Sequence, residues 1–298
     1  MTTAPIRPLD SLEVVARRAR EAGAQAYLVG GAVRGAALGR TSTDLDVALE
    51  GPASTTERLV LGLGDEGFTC EARHARFGTA RLLSPSGTRV DLATTREETY
   101  PVPGALPVVR CGAPIARDLA RRDFSIHAMA LALGPDGLEG SAIDPFGGAD
   151  DLSRRRIRLL HERSLADDPT RVLRAARYAA RLGFSLDAGF VAAMQHGIAS
   201  GAFETISGDR LRRALDEVLS EENRDVALEL LFRLDVPAAI VPGWAGARLP
   251  EPEELKASSP IPALWRRLLA PAPDALRARI AQRLALPRAL RAAAGCGR

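Results

Sequence analysis

The amino-terminal part of the chain alternates between helical and strand-like spacing of its apolar residues. Apolar residues at every third or fourth position give a helix one apolar face, whereas alternating residues or short apolar runs are typical of strands. These patterns predict helices over 12–22, 32–38 and 54–62, and strands over 26–29, 44–49, 68–74, 77–83 and 88–94. The first 150 residues are therefore predicted to mix α and β structure.

An uncharged, proline-rich segment follows these elements. Tyr100–Val109 contains Pro101, Pro103 and Pro107 and has no charged side chain. Because proline fixes φ and has no backbone N–H to donate, we predict an extended loop here rather than a helix or a strand.

The second half of the chain has helical spacing throughout, from residue 165 to residue 240. A second proline-rich stretch follows, and an arginine-rich helical region comes after it. The individual helices are predicted over 170–182, 189–199, 208–219 and 223–234, with the arginine-rich region over 263–294.

Composition restricts the fold class and the location. Only 8 Phe, 3 Tyr and 2 Trp occur in 298 residues, so the core must be mainly aliphatic, which disfavours an all-β sandwich. No apolar run approaches the roughly 18–20 residues that cross a bilayer, and the first residues lack the pattern of a signal peptide. We therefore expect a soluble, cytoplasmic protein with no membrane partner, and the sequence indicates no obligate protein partner.

Charge permits a polyanionic partner without requiring one. The chain has 40 basic and 37 acidic residues, and Lys256 is its single lysine. The planar guanidinium of arginine suits phosphates and base edges, although a GC-rich genome would produce the same bias. The three cysteines and four histidines lack the spacing of a zinc site, so a zinc enzyme is disfavoured.

The strongest candidate chemistry lies in two neighbouring motifs. Gly30-Gly31 stands where a predicted strand gives way to a helix, and unobstructed backbone N–H groups there can bind a triphosphate. Arg34, in the first turns of that helix, can reach a phosphate oxygen. Asp44 and Asp46 share one face of the next strand, and two carboxylates at that spacing suit Mg²⁺ and a two-metal nucleotidyl transfer. The alternative is an ordinary glycine turn beside an exposed strand face.

Three further residues have both a functional and a structural interpretation. Asp91 is flanked by apolar residues on a predicted strand, and it is either a third catalytic carboxylate or part of a solvated strand face. Asp168 precedes Pro169 at the start of a predicted helix, where an aspartate commonly caps the helix. In that case Arg171 would be a surface charge.

The order of these motifs resembles class II tRNA nucleotidyltransferases, the CCA-adding enzymes, and their bacterial poly(A) polymerase relatives. The segment LVGGAVRGAALGRTSTDLDVAL resembles the first family motif, with metal-binding acids at Asp44 and Asp46. ARRDFSIHAMAL resembles the second, in which Arg121, Arg122 and Asp123 would bind ribose and phosphate. DPFGGADDL resembles the hinge motif, DDPTRVLRAARYAARLGF the nucleotide-reading motif, and RLRRAL the helix that supports it.

The resemblance implies a fold class and a domain order. It implies an α+β protein, in which a nucleotidyltransferase head with a mixed β-sheet precedes all-α domains. The expected domains are the catalytic head over 1–150, a nucleotide-reading neck over 151–238 and a truncated body over 239–298.

The resemblance also implies a reaction. An RNA 3′-hydroxyl would attack the α-phosphate of CTP or ATP with Mg²⁺ as cofactor, which would add C, A or both to the 3′ end of tRNA and release pyrophosphate. A poly(A) polymerase and an RNA-binding protein with a degenerate head remain alternatives. The uncharged Tyr100–Val109 segment favours CC addition over A addition, because charged residues of the matching loop are thought to reshape the pocket in CCA-adding relatives.

Base choice can be derived from hydrogen bonding. Asp168 can accept from the amino group of C or A, while Arg171 donates to the ring nitrogen. U and G would present a carbonyl to the carboxylate and an N–H to the guanidinium. The match to the nucleotide-reading motif continues through Arg174, Tyr178 and Gly183, which supports this interpretation over simple capping.

The chain departs from the family pattern at three positions. Gly35 and His127 stand where the family usually has Asp and Asn, and Ala214 stands where it usually has Glu. These departures affect the expected positioning of the triphosphate and of the neck helix.

Overall fold

The computed structural model describes residues 9–42, 44–134, 137–244, 255 and 259–295. Their contacts divide them into two compact units. The first unit comprises the residues up to Thr99 together with Pro107–Arg154, and the second comprises Tyr100–Leu106 together with the residues from Arg155 onward. A mixed sheet with helices builds the first unit and helices build most of the second, so the predicted α+β fold is confirmed.

The first unit is organised around one mixed sheet. The strands among the described residues are β1 (Gln25–Val29), β2 (Asp44–Glu50), β3 (Thr69–His74), β4 (Thr79–Leu83), β5 (Arg89–Thr94), β6 (Arg96–Thr99), β7 (Val108–Cys111), β8 (Ala130–Gly134), β9 (Gly137–Ile143), β10 (Arg156–Ile157) and β11 (Ser185–Leu186). Seven of them form the sheet in the order β3-β4-β5-β2-β1-β8-β9. Only β2 and β5 are parallel neighbours within this sheet, and β2 is its central strand.

Helices accompany the sheet in the first unit and build the second. Those of the first unit are α1 (Leu9–Glu21), α2 (Gly30–Ala37), α3 (Thr55–Gly64), α4 (Ile115–Ala120) and α5 (Gly148–Ser153), with short 3-10 turns at Ala75–Phe77 and Ser125–His127. Those of the second unit are α6 (Ser164–Asp167), α7 (Thr170–Leu182), α8 (Phe190–Ala199), α9 (Ala202–Thr205), α10 (Gly208–Leu219), α11 (Arg224–Arg233), α12 (Val236–Ile240), α13 (Ile261–Leu269), α14 (Asp274–Arg283) and α15 (Arg288–Ala293). Among the described helices, none has both the length and the apolar character needed to span a membrane.

The apolar spacing that predicts the helices also defines their buried faces. In α1 the predicted apolar residues Leu12, Val15 and Ala16 are fully or almost fully buried. In α7, Val172 and Leu173 are completely buried. The spacing predicts α7 and α10 with the bounds that the structure has, because in both helices the apolar stripe is regular from end to end.

Three strand pairs depart from the sequence prediction. The prediction of helical spacing throughout 165–240 is wrong at Ser185–Leu186, because these residues form β11 and pair parallel with Arg156–Ile157 of β10. Val108 and Val109 were expected in a loop, but they begin β7, which pairs antiparallel with β6. The prediction of a loop over the whole of Tyr100–Val109 is therefore wrong at its end, because the partner strand supplies the hydrogen bonds that the local sequence does not reveal. The sequence also gave no prediction for β8 and β9, which complete one side of the sheet.

The domain limits stay predictions. The contacts assign the segment Tyr100–Leu106, which lies inside the predicted head, to the second unit. Within the second unit, the separation of a neck from a body at residue 238 is not tested by this division. Residues 245–254, 256–258 and 296–298 of the predicted body lie outside the described residues.

Candidate active site

Strand register brings the predicted acidic residues next to the glycine pair. Asp46 of β2 lies opposite Val29 of β1 and beside Asp91 of β5. Val29 is the last residue of β1, and α2 begins at the next residue, Gly30. The carboxylate of Asp46 therefore lies at the start of α2.

The two glycines permit this close approach. Gly30 has a φ of +65°, and a Cβ atom there would lie 2.9 Å from Asp46 Oδ2, so a side chain would be both strained and obstructed. The backbone N–H of Gly31 donates a hydrogen bond to the Asp46 carboxylate. The start of α2 thus interacts with an anionic group, which is the chemistry expected of a phosphate-binding turn.

The electrostatics of the acidic residues favour a cation. Burial raises the pKa of Asp46, and the charges of Asp91 and Asp44 raise it further, while Arg122 and the Gly31 N–H oppose the effect. Asp44 is accessible, with 62% of its side chain exposed. In the described ranges, no three His, Cys, Asp or Glu side chains are grouped to hold a metal unaided. The two carboxylates of Asp44 and Asp46 are a ligand set that fits Mg²⁺, which usually takes one or two carboxylates and completes its coordination with water and substrate phosphates.

Asp91 has an arginine partner that the sequence did not predict. Arg81, directly across on β4, donates to both of its carboxylate oxygens, over 2.7 and 3.0 Å. Asp91 is thus an ion-paired neighbour of Asp46 whose negative charge still acts on Asp46, and its role as a third catalytic carboxylate stays a prediction. The pairing depends on strand register, and a register between two predicted strands is not visible in local spacing.

Arg34, which is half-buried, takes part in a chain of three side chains. Its Nη1 lies 2.5 Å from His127 Nε2, and His127 Nδ1 lies 2.8 Å from Asp123 Oδ1. His127 and Asp123 are both buried. The second family motif therefore contacts the helix of the first motif through His127, which Asp123 contacts in turn.

Arg121 and Arg122 share a buried acidic partner, Asp118. Arg121 also donates to Glu98 over 3.1 Å, and Arg122 donates to the backbone carbonyl of His127 over 3.2 Å. Burial alone would favour the neutral acid, but the two arginines hold the pKa of Asp118 below its ordinary value. The sequence prediction missed Asp118, although its spacing of three and four residues from the arginines is the usual signal for a helical ion pair.

In the second unit, Asp168 both caps a helix and pairs with an arginine. Its Oδ1 accepts from the backbone N–H of Thr170 over 3.0 Å and lies 3.1 Å from Arg210 Nη2. Arg210 also donates to the carbonyl of Gly104 over 2.9 Å. The capping interpretation therefore describes a real contact, and Arg210 is a partner that the prediction did not include.

Arg171 is buried, so the alternative that it is a surface charge is wrong. Only 5% of it is exposed, its Nη1 donates to Ser164 Oγ over 2.9 Å, and its guanidinium lies 6.0 Å from the ring of Tyr100. Arg174 lies over the ring of Tyr178 at 5.9 Å. The structure thus groups Gly30, Gly31, Arg34, Asp44, Asp46, Asp91, Arg121, Arg122 and Asp123 in the first unit and Asp168, Arg171 and Arg174 in the second.

Comparison with known proteins identifies the class of fold. Residues 26–158 match the poly(A) polymerase head domain. A solved CCA-adding enzyme in an apo form superposes with a TM-score of 0.80 at 30% identity, over 95% of this chain and 68% of that one. The CCA-adding enzyme of Thermotoga maritima, solved with a tRNA, gives a TM-score of 0.71 at 28% identity, over 94% and 67% of the two chains. The first unit therefore contains a poly(A) polymerase head domain, and the whole described chain has the fold of a CCA-adding enzyme.

Sequence relatives agree with the structural ones. The chain is 40% identical over 196 residues to an A-adding tRNA nucleotidyltransferase of Geobacter sulfurreducens, and the matched segment covers 65% of this chain and 22% of that protein. It is 45% identical over 156 residues to a CC-adding tRNA nucleotidyltransferase of Deinococcus radiodurans, which covers 52% and 40%. The chain thus spans less than half the length of these two curated relatives. It belongs to the family of class II tRNA nucleotidyltransferases and bacterial poly(A) polymerases, as its motifs predicted.

Proposed function

We propose that the protein adds C, A or both from CTP and ATP to the 3′ end of tRNA, without a template, and releases pyrophosphate. The observation that carries the proposal is the position of Asp46 at the glycine start of α2. There the backbone N–H of Gly31 donates to its carboxylate, and the positive charge of Arg122 favours the ionised form. Relatives that are named for adding A or CC to tRNA support the choice of substrate. Because the reaction uses tRNA and nucleoside triphosphates, we propose a cytoplasmic location.

The residues of the first unit have distinct roles in this reaction. The bond from the RNA 3′-oxygen to the α-phosphorus forms, the bond from that phosphorus to the pyrophosphate oxygen breaks, and the hydroxyl proton passes to solvent while pyrophosphate departs with the electron pair. Gly30, Gly31 and Arg34 bind and orient the triphosphate. Mg²⁺ bound by Asp44 and Asp46 would supply Lewis-acid chemistry, lowering the pKa of the attacking hydroxyl and neutralising charge on the triphosphate.

Arg121, Arg122 and Asp123 support this arrangement. Arg121 and Arg122 are held by Asp118, so their guanidinium groups are fixed before a nucleotide binds. The positive charge of Arg122 lowers the pKa of Asp46, so Arg122 lies near the proposed triphosphate site. Asp123 contacts His127, which contacts Arg34.

Base selection is proposed for the second unit. Asp168 accepts from the amino group of C or A, and Arg171 donates to the base, with Arg174 beside it on α7. Burial of Arg171 supports this role, because a site with buried polar groups rejects a base that leaves them unpaired.

The role of Asp168 in base reading can be separated from its role in capping. Asn caps a helix about as well as Asp but has no charge and can donate, so Asp168→Asn should retain the bond to Thr170 while relaxing rejection of UTP and GTP. Rates for the four nucleotides, measured together with thermal unfolding, test this. If Asp168→Asn excluded UTP and GTP as strictly as the parent, the base-reading role would be wrong.

One assay distinguishes the proposed function from its alternatives. Labelled CTP, ATP, GTP and UTP are supplied separately and together to a tRNA that lacks its 3′ CCA, with Asp44→Asn as the inactive control. Incorporation of CTP or of both CTP and ATP supports the proposal. Repeated incorporation of ATP alone, also into other RNAs, would instead indicate a poly(A) polymerase. Binding of tRNA without incorporation would indicate a degenerate head.

A further inference from the structure

A buried histidine stands between the candidate triphosphate-binding arginine and a buried carboxylate. His127 lies in the 3-10 turn Ser125–His127, and its ring contacts Arg34 of α2 through Nε2 and Asp123 through Nδ1, over 2.5 and 2.8 Å. Asp123 is itself fixed, because its Oδ1 accepts from the backbone N–H of Phe124 over 2.9 Å.

The contacts define the tautomer and the charge of the ring. A guanidinium has donors only, so Nε2 of His127 must accept from Arg34. Nδ1 faces a carboxylate and therefore carries the ring proton. His127 is thus neutral in this arrangement, and the hydrogen bond to Asp123 selects the tautomer that leaves Nε2 free to accept.

The charges around His127 include groups from each neighbouring element. Arg34 approaches from α2, and Asp123 and Arg122 approach from the segment before the turn, where Arg122 donates to the His127 carbonyl over 3.2 Å. From α5, Asp151 is buried and accepts from Ser125 Oγ over 2.5 Å. Protonation would convert Nε2 from an acceptor into a donor and would place a second positive charge against the guanidinium of Arg34.

We propose that His127 is a positioning residue that holds the Arg34 guanidinium at the glycine start of α2 only while the ring is neutral. Acidification then releases Arg34 and weakens binding of the nucleoside triphosphate. This inference rests on the proposed function, in which Arg34 binds the triphosphate.

While the ring of His127 is neutral, Nε2 accepts from Arg34 and the arginine is held. When acidification protonates the ring, this hydrogen bond is replaced by repulsion between two cations, and the KM for CTP rises. An asparagine can accept from Arg34 through Oδ1 and does not titrate, so His127→Asn removes this pH response while leaving an acceptor for Arg34.

The experiment compares the parent with His127→Asn and His127→Ala between pH 5.5 and pH 8, measuring kcat and KM for CTP. At pH 8, His127→Ala should raise the KM about tenfold with little change in kcat, as expected for a lost hydrogen bond to a charged group. On acidification the KM of the parent should rise more steeply than that of His127→Asn. Protonation of the triphosphate itself affects both proteins equally and cancels in the ratio. The exposed His74→Asn is the matched control and should keep the parental profile.

Two results would overturn the inference. One is a KM of His127→Ala at pH 8 equal to that of the parent, and the other is an acid rise in His127→Asn as steep as in the parent. Thermal unfolding of each variant identifies any loss of fold. If the parent incorporates no nucleotide, the proposed function fails, and calorimetric binding of CTP by the parent and His127→Asn across the same pH range still decides the role of His127.

Discussion

Asp44, Asp46 and Asp91 lie on neighbouring positions of two parallel strands, where three carboxylates repel one another. Arginines offset part of this repulsion: Arg81 binds Asp91 over 2.7 Å, and Arg89 Nη1 lies 3.8 Å from Asp44 Oδ1. The strands that carry these acids are otherwise held by buried aliphatic side chains. We therefore expect the fold to survive substitution of any one of the carboxylates, so that their role can be tested in this way.

We expect Asp44→Asn and Asp46→Asn each to abolish nucleotide incorporation while the protein remains folded. Each change keeps the shape of the side chain but removes a charged oxygen ligand, and losing several kcal/mol of transition-state stabilisation lowers the rate many hundredfold. Single-turnover incorporation and thermal unfolding provide the two measurements. Wild-type turnover in either variant would contradict the metal-binding assignment.

Asp118 predicts a pH dependence of stability. Its folded-state pKa is held low by Arg121 and Arg122 despite its burial, so it stabilises the fold above its ordinary pKa of about 3.9 and loses that contribution as the pH falls through the folded value. Asp118→Asn should lower the free energy of unfolding at pH 7 by roughly 3 kcal/mol, because it leaves two arginines without their buried partner. Urea unfolding should show this difference shrinking toward pH 3. The exposed Asp65→Asn is the control, with a change within about 0.5 kcal/mol.

At the scale of elements, the sequence predicts what its local periodicity encodes. The helices α7 and α10 were predicted in full because their apolar stripes are regular, and β2 was predicted because its acids alternate with apolar residues. By contrast, β8 is rich in alanine, and β9 contains two glycines and no β-branched residue except Ile143, so neither has a strong strand signal. These strands form through pairing with β1 and with each other, which local spacing does not show.

The residues of the candidate site divide in the same way, into those that a local motif predicts and those that only tertiary contacts reveal. Gly30, Gly31 and the two acids of β2 were predicted, because a motif in order along the chain is a local property. Arg81 and Arg210 were not, since the first needs the register between β4 and β5 and the second needs the packing of α10 against a distant loop. Contacts of this kind are properties of tertiary structure.

The turn between β1 and α2 gives a test at this scale. Gly30→Ala places a Cβ atom 2.9 Å from Asp46 Oδ2 in a backbone conformation that L side chains rarely adopt. We expect it to destabilise the protein by roughly 1–2 kcal/mol and to weaken CTP binding, because Asp46 and the turn must move apart.

Gly39→Ala is the matched control for this turn. Gly39 also has a positive φ, +73°, but nothing lies within 4 Å of its Cβ position. Gly39→Ala should also lower the free energy of unfolding, because of its backbone strain, but it should leave CTP binding unchanged in calorimetry. If both variants bound CTP like the parent, the turn at Gly30 would not be part of the nucleotide site.

At the scale of the whole molecule, one short segment of the head sequence belongs to the second unit. Tyr100–Leu106 lies between β6 and β7 in the chain, yet its contacts are with the helices. The N–H of Gly104 donates to the carbonyl of Ala166 over 2.8 Å, and its own carbonyl accepts from Arg210 over 2.9 Å. A Cβ at Gly104 would lie 2.2 Å from the carbonyl oxygen of Ala202, so the segment is closely packed there.

This packing bears on the product of the reaction. In CCA-adding relatives, charged residues of the corresponding loop are thought to help change the pocket from C to A after two additions. Tyr100–Val109 has no charged side chain and contains Pro101, Pro103 and Pro107, and it is tied to α10 through Arg210. A stiff, uncharged and anchored segment has little means of moving the base-reading residues electrostatically.

We therefore expect CC addition to exceed A addition, with a separate enzyme supplying the terminal A. The measurement incubates a tRNA that ends at its discriminator base with CTP and ATP and sizes the product at single-nucleotide resolution. A tRNA that already ends in CC, given ATP alone, is the parallel substrate, and it should be extended much more slowly. The alternative is that apolar contacts of the segment are sufficient for the change from C to A. Efficient three-nucleotide extension of the first substrate would support that alternative and contradict the prediction.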